Sequence, residues 1–255
     1  MLPSEEPEFG QAGRIASGIE NFDDGGSCGQ AGEGGQIYRR EAPGSWLWLD
    51  PNLEPMDATP FLEAGDRVGD DIEALLAIDM SPVMDDSRRK AFTSLGGSSD
   101  QSIYATGYDG ALLFWDGTRS HWVEGLPKTQ LTAILPDGNR NVWVCGSQGT
   151  LLFGNFYDGF KDISPKGEFS FNSIAKYNGE IYLTANGGFG GPVGLYLNET
   201  GVLRQVLTGL KPEIEDVSVV TSTDGLLWVV GAADIVCFDG TDWEPISKPE
   251  HLPHR

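Results

Sequence analysis

Basic side chains are scarce in this chain of 255 residues: 17 Lys and Arg stand against 38 Asp and Glu, a formal net charge of −21. A surface of that sign repels phosphates, which argues against nucleic acid and anionic membranes as partners. Cysteine is rarer still. Cys28, Cys145 and Cys237 lie far apart, with neither a disulfide framework nor a zinc-ligand spacing. The segment Met1-Leu2-Pro3-Ser4-Glu5-Glu6 has no basic n-region and no apolar run behind it, so no targeting segment is expected there. No run of eighteen apolar residues occurs that could serve as a membrane-spanning helix. With few thiols and no leader expected, the expected compartment is the cytoplasm. Glycine is what the chain has in excess, 35 residues or about 14%, roughly twice the usual share. No Gly-X-Y period runs through it, so the glycines point to many tight turns.

The chain repeats. Ile103-Tyr104-Ala105-Thr106-Gly107 is followed by Ala111–Gly117 and His121-Trp122-Val123. The same order recurs from Val142 (with Leu151-Leu152-Phe153 and Phe160), from Ile181 (with Val193–Leu197 and Val202–Val206) and from Leu227 (with Ile235–Phe238 and Trp243). The starts are 39, 39 and 46 residues apart. One further β-like run precedes each: Ala91–Leu95, Leu131–Leu135, Phe171–Lys176 and Val217–Thr221. Each unit thus predicts four short strands rich in aromatic and β-branched residues. Asp137-Gly138, Asn178-Gly179 and Asp224-Gly225 fall where tight hairpins need positive φ. A fifth unit is read at the N-terminus, where Cys28–Gly32, Gln36–Arg40 and Ser45–Leu49 repeat the pattern and Arg14–Ile19 supplies a first strand.

Four-strand units with a period of about 40 residues are the mark of a β-propeller, whose blades bury each other's faces. The expectation is an all-β, five-bladed β-propeller of four-stranded antiparallel blades in a single domain. The blades fall at 14–50, 91–125, 130–164, 169–207 and 214–247. An insert at 51–90 breaks the rhythm. Pro51–Lys90 carries ten acids and four bases, and Ile72, Leu75, Leu76 and Asp79 follow helical spacing behind Asp70-Asp71. One short amphipathic helix is predicted there. In a propeller the insert shares a face with the turns between second and third strands. That face nominates a binding surface: Tyr108, Asp109, Gln148, Phe189 and Asp234 on the turns, with Asp70, Asp71 and Glu73 on the insert.

Catalytic chemistry is hard to place. Gly187-Gly188-Phe189-Gly190-Gly191 lacks the Lys-Ser/Thr and the helix of a phosphate loop. His121, His251 and His254 are scattered. Cys145 occupies a strand position filled by Val230 in a sister unit, and so reads as a small buried apolar residue. Five-bladed glycosidases need carboxylates converging at the pore. The first-strand cores here, Ala91–Leu95, Leu131–Ile134, Phe171–Ala175 and Val217–Val220, contain no Asp or Glu; their polar members are Ser, Thr and Asn. No enzyme, metal or cofactor is expected. Trp115, Trp122 and Trp243 could serve a glycan-binding or glycan-hydrolysing alternative, but for the residues that close each repeat, Trp122, Phe160 and Trp243, packing between blades is the better reading.

The pattern V/I-Y-A-x-G-x-x-G-x-L-x-x-x-D-G-x-x-W, carried by Ile103–Trp122, Val142–Phe160 and Leu227–Trp243, resembles a bacterial propeller family of WD40/YVTN/BNR-like repeats. Its genes often stand beside contact-dependent or type VI secretion toxins. The resemblance implies a binder: an immunity protein that occludes a cognate toxin, or alternatively a scaffold of a secretion system. A basic toxin domain would suit the charge, and a monomer is expected when free.

Overall fold

The computed structural model describes residues 15–21, 28–32, 35–42, 45–53, 91–138, 140–187, 190–199, 201–214 and 216–246. The predicted helix, with Asp70, Asp71 and Glu73, lies outside the described residues, as does Phe189. Among the described residues the regular structure is β-strand, with one 3-10 turn at Ser147–Gly149. No helix among them is long and apolar enough to cross a membrane. The chain divides into two compact units, Met1–Leu131 with Gly138–Arg140, and Thr132–Asp137 with Asn141–Arg255.

The first unit holds two four-stranded sheets. β1 (Ile15–Asn21), β2 (Cys28–Gly32), β3 (Ile37–Ala42) and β4 (Ser45–Trp48) form one, in chain order. β5 (Phe92–Ser99), β6 (Ser102–Gly107), β7 (Leu112–Trp115) and β8 (Ser120–Trp122) form the other. Every strand pairs antiparallel with its neighbour in sequence. Ile37 and Leu49 meet Phe92, Leu95, Ile103, Ala105, Leu113 and Trp115 in a common core, against which Leu53 and Trp122 pack. Trp115 is 5% exposed and its indole N–H donates to the Asp100 carbonyl at 3.1 Å, so it is a core residue and not a sugar platform.

Three sheets make the second unit. They are β9 (Leu131–Asp137) with β10 (Asn141–Gly146), β11 (Leu151–Asn155) and β12 (Gly159–Asp162); β13 (Phe171–Tyr177) with β14 (Glu180–Asn186), β15 (Val193–Glu199) and β16 (Val202–Val206); and β17 (Val219–Thr223) with β18 (Leu226–Val230), β19 (Ile235–Phe238) and β20 (Trp243–Pro245). The middle sheet shows why its strands read as nearly unbroken apolar runs. On β14, Ile181, Leu183 and Ala185 enter one core with Cys145, Leu151 and Phe171. Tyr182 enters another, with Val220, Leu227, Val229 and Val236. Alternate side chains serve opposite faces and both faces are covered, so the period-2 polarity of a half-exposed strand disappears. Consecutive sheets packed face to face through such cores are the construction of propeller blades.

The turn chemistry follows the residues. Asn178 (φ 50°) and Gly179 (φ 85°) close one two-residue hairpin, and Asp224 (φ 53°) and Gly225 (φ 76°) another. These φ signs give the turn twist that matches paired strands, and Asn, Asp and Gly are the residues that bear them at least cost.

The Ser and Thr residues of the first strands turn out to be fasteners. Thr93 Oγ1 lies within hydrogen-bond reach of the Thr106 carbonyl (3.2 Å) and Thr132 Oγ1 of the Cys145 carbonyl (3.1 Å), each beside its own second strand. Within the second unit the same class of hydroxyl also crosses between sheets. Thr132 Oγ1 lies 2.7 Å from the Phe171 carbonyl, and Ser173 Oγ donates to Val220 O at 3.0 Å. Thr184 Oγ1 donates to Ser218 O at 3.0 Å. Thr132→Val keeps the shape and removes the donor. It is expected to destabilise the protein by roughly 1–2 kcal/mol, since a partly buried carbonyl loses its partner. An unchanged urea midpoint would show this hydroxyl to be idle.

Candidate binding face

The nominated residues that are described, Tyr108, Asp109, Gln148 and Asp234, sit on turns joining second to third strands, and each of these turns is held by its own backbone. In the first unit Tyr108 and Asp109 stand together in the β6–β7 turn. Gly107 N donates to Ala111 O (2.8 Å) and Ala111 N to Tyr108 O (2.9 Å). Asp109 takes φ 54° and Gly110 φ 74°. Gly110 N donates to Thr129 O at 2.6 Å, which pins the turn onto the linker between β8 and β9. A Cβ on Gly110 would lie 2.3 Å from Pro127 O, so this position has room for glycine alone. Tyr108 remains 41% exposed.

The β10–β11 turn of the second unit repeats the device. Gly149 N donates to Phe169 O at 2.6 Å, on the linker between β12 and β13, while Gly146 N donates to Thr150 O at 3.0 Å. Gln148 is exposed and held at φ 57°. A left-handed conformation costs an unbranched side chain about 1–2 kcal/mol, met here by the fixed turn around it. Asp234, also exposed, accepts from Gly231 N at 2.8 Å through its carbonyl in the β18–β19 turn. Thus, within each unit, turns and sheet-to-sheet linkers open on one side, as expected from the repeat. Tyr108 and Asp109 share one turn, and Gln148 and Asp234 occupy equivalent turns on two different sheets.

On the opposite edges the hairpin acids are bound up in structure. The Asp116 carboxylate accepts from Thr118 Oγ1 (2.6 Å), Thr118 N (2.8 Å) and Arg119 N (2.9 Å), and lies 2.8 Å from His121 Nε2. The Thr118 hydroxyl foremost, then His121 and the two amides, hold it far below the usual carboxylate range against a smaller opposing effect of burial. For Asp137, burial alone would raise the pKa. Lys176 Nζ at 2.5 Å and the Trp143 indole N–H at 2.9 Å outweigh it and bring the carboxyl below its ordinary value. Both are anchors of the fold. Burial pushes the Cys145 thiol up to about 12, so this residue is no nucleophile, as its strand position suggests. Among the described residues no group of three or more His, Cys, Asp or Glu side chains is gathered as for a metal ion.

A feature the repeat reading passed over lies beside the β14–β15 turn. A cleft of about 330 Å³ opens between the start of β15, the end of β16 and the linker that follows. Val193, Leu195, Val206, Leu207, Ile214 and Val217 form its apolar walls, with Glu213 and Asp216 also lining it. The sequence carries one trace of it. The last interval between repeats is 46 residues where the others are 39, and part of the surplus falls in this linker, twelve residues between β16 and β17 where eight separate β12 from β13.

No protein-family model matches the chain. It is 27% identical over 247 residues to the immune protein Tsi7 of Pseudomonas aeruginosa, an alignment that takes in 96% of this chain and 68% of Tsi7. Among solved structures it is similar to the extracellular domain of the hybrid two-component system BT3049 of B. thetaiotaomicron, with a TM-score of 0.63 at 14% identity, covering 99% of this chain and 30% of that one. It is similar also to the WD40 β-propeller domain of Doa1, with a TM-score of 0.57 at 12% identity, covering 85% of this chain and 60% of that domain's chain. The structural likenesses bear on the fold alone, which is of the β-propeller type.

Proposed function

We propose that this chain is a non-catalytic protein-binding propeller that serves as an immunity protein and neutralises a cognate toxin by covering it. The observation that carries the reading is the 27% identity to the immune protein Tsi7 across 96% of the chain. The net charge of −21 supports a basic toxin domain as the partner, because complementary fields speed encounter and disfavour wrong partners. The proposed docking side is the one bearing the β6–β7, β10–β11, β14–β15 and β18–β19 turns, with Tyr108, Asp109, Gln148, Phe189 and Asp234. The acidic insert, with Asp70, Asp71 and Glu73, extends it. Five blades in one ring, a free monomer, a cytoplasmic location and a toxin of the type VI or contact-dependent class complete the proposal.

The test is a pull-down with this chain from toxin-bearing bacterial lysate, followed by co-expression with the basic toxin domain it retains. Growth should be restored, and the two chains should co-elute in a fixed ratio. Protection should fail once toxin outnumbers this chain, because a stoichiometric cover does not turn over. Protection by sub-stoichiometric amounts would favour an enzyme, and growth arrest despite soluble protein would reject immunity. Within the complex, Tyr108→Ala should raise the dissociation rate, at a cost of about 2 kcal/mol for a central anchor. Asp109→Asn and Asp234→Asn should chiefly slow association, and more so at low salt.

A further inference from the structure

The cleft in the second unit is built, and not merely left over between loops. Its outer wall is the linker residues 207–214 and 216–217, gathered around one carboxylate. Glu213 Oε1 accepts from Thr208 N at 2.8 Å and from the Thr208 hydroxyl, while Oε2 accepts from Gly209 N at 2.9 Å. Leu210 and Ile214 then fasten the linker to the core beneath. Leu195 and Val217 are buried along the cleft, whereas Val193 (39% exposed) and Leu207 (67% exposed) stand open to solvent. Exposed apolar side chains around an apolar floor are the arrangement of a surface that awaits a contact. Asp216 stands exposed in the lining at φ 51°, a conformation that Asp and Asn bear better than other side chains. Of the nearby bases, Arg204 is paired with Glu199 at 2.8 Å, and Lys211 lies on the linker.

We propose that this cleft receives an aliphatic side chain of the partner protein, flanked by Lys or Arg residues that face Glu213 and Asp216. The apolar walls supply the binding energy for the aliphatic group, and the two acids select its cationic neighbours. A volume of 330 Å³ is at the low end of the range for ligand pockets and holds one or two side chains, not a cofactor. An acidic segment is excluded by the same carboxylates and by the field of a chain at −21. From the immunity reading this proposal takes only that the partner is a basic protein.

The probe is a capped pentapeptide, Lys-Leu-Arg-Leu-Lys, titrated into the 15N-labelled full chain. Two controls accompany it: Lys-Gly-Arg-Gly-Lys, which lacks the aliphatic groups, and Glu-Leu-Gln-Leu-Glu, which reverses the charge. The amide resonances of Gly194, Leu207 and Gly209 should move with the first peptide. Both controls should bind about fivefold more weakly or worse, as should the first peptide to Leu207→Ser or Asp216→Asn. Equal binding of the aliphatic-free control, shifts centred elsewhere, or no shifts at all would overturn the proposal. Val193→Lys, a change at an exposed position, carries the test into the growth assay. Loss of protection with unchanged melting supports the cleft, and full protection rejects it while leaving immunity intact. Failure of the wild-type chain to protect rejects immunity, and the peptide titration then judges the cleft by itself.

Discussion

Gly110→Val will lower the stability of the protein by about 3 kcal/mol or more, enough to move the thermal midpoint by several degrees. Two penalties combine. At φ 74° a β-branched side chain pays for the left-handed region, and its Cβ would sit 2.3 Å from Pro127 O. The collision is with backbone, so no rotamer relieves it. To escape, the turn must give up the 2.6 Å bond from Gly110 N to Thr129 O, which also releases Tyr108 and Asp109 from their fixed place. Thermal unfolding followed by circular dichroism reads the first effect. The partner's dissociation rate reads the second, and a variant that melts like the wild type would show the turn to be free to move. Gly125→Ala is the control: it too has positive φ, at 80°, but a Cβ there meets nothing within 4 Å, so its cost should be limited to conformational strain.

Asp50→Asn is expected to cost about 2–3 kcal/mol at neutral pH, although the two side chains are nearly the same size. Asp50 is 7% exposed and stands after β4, at the start of the segment that leads to the insert. Its Oδ2 accepts from Ser120 N on β8 at 2.7 Å, and its Oδ1 from Asn52 N at 3.0 Å. A carboxylate offers acceptors on both sides. An amide must turn its NH₂ toward one of these N–H groups, which sets donor against donor in a buried place. The pH dependence follows. Burial by itself would raise the Asp50 pKa, but the bonds from Ser120 and Asn52 outweigh it and the folded value is lowered. Its contribution is therefore complete above the unfolded carboxyl value of about 4 and is lost as pH falls through the lower folded value. The stability gap between wild type and Asp50→Asn should be widest near neutrality and close on acidification. A gap independent of pH would mean that charge is not what Asp50 supplies.

Most strand positions were legible because the signal is local. Asn178-Gly179 and Asp224-Gly225 announce hairpins by their own backbone preferences, and the Trp and Phe positions recur at a fixed period. Trp122 and Trp243 do pack onto sheet-to-sheet cores, as the repeat reading expected. Several boundaries moved by a few residues: β9 runs on to Asp137 and β1 to Asn21, so two first strands do carry acids, Asp137, which is committed to Lys176 and Trp143, and Glu20. Less legible was the work of Thr132 and Ser173. A hydroxyl in a strand looks the same whether it faces water or a carbonyl of the next sheet, and its partner lies 39 or 47 residues away. The cleft was hidden for a related reason. Glu213 shapes the linker through Thr208 and Gly209, residues of no distinctive pattern, and only the lengthened interval marked the place.

Among the described residues every hydrogen-bonded strand pair joins strands adjacent in the sequence, and none of the five sheets borrows a strand from a distant part of the chain. The consequence is an order of events during synthesis. Each sheet closes only short loops, so the entropy lost at each step is small, and a sheet can be complete soon after its last strand leaves the ribosome. The next first strand then arrives to find an apolar face waiting and, in the second unit, a hydroxyl from Thr132 or Ser173 presented to its carbonyls. Each described ladder therefore needs no strand from a later segment to complete its hydrogen bonds, and a break placed between sheets leaves each ladder whole.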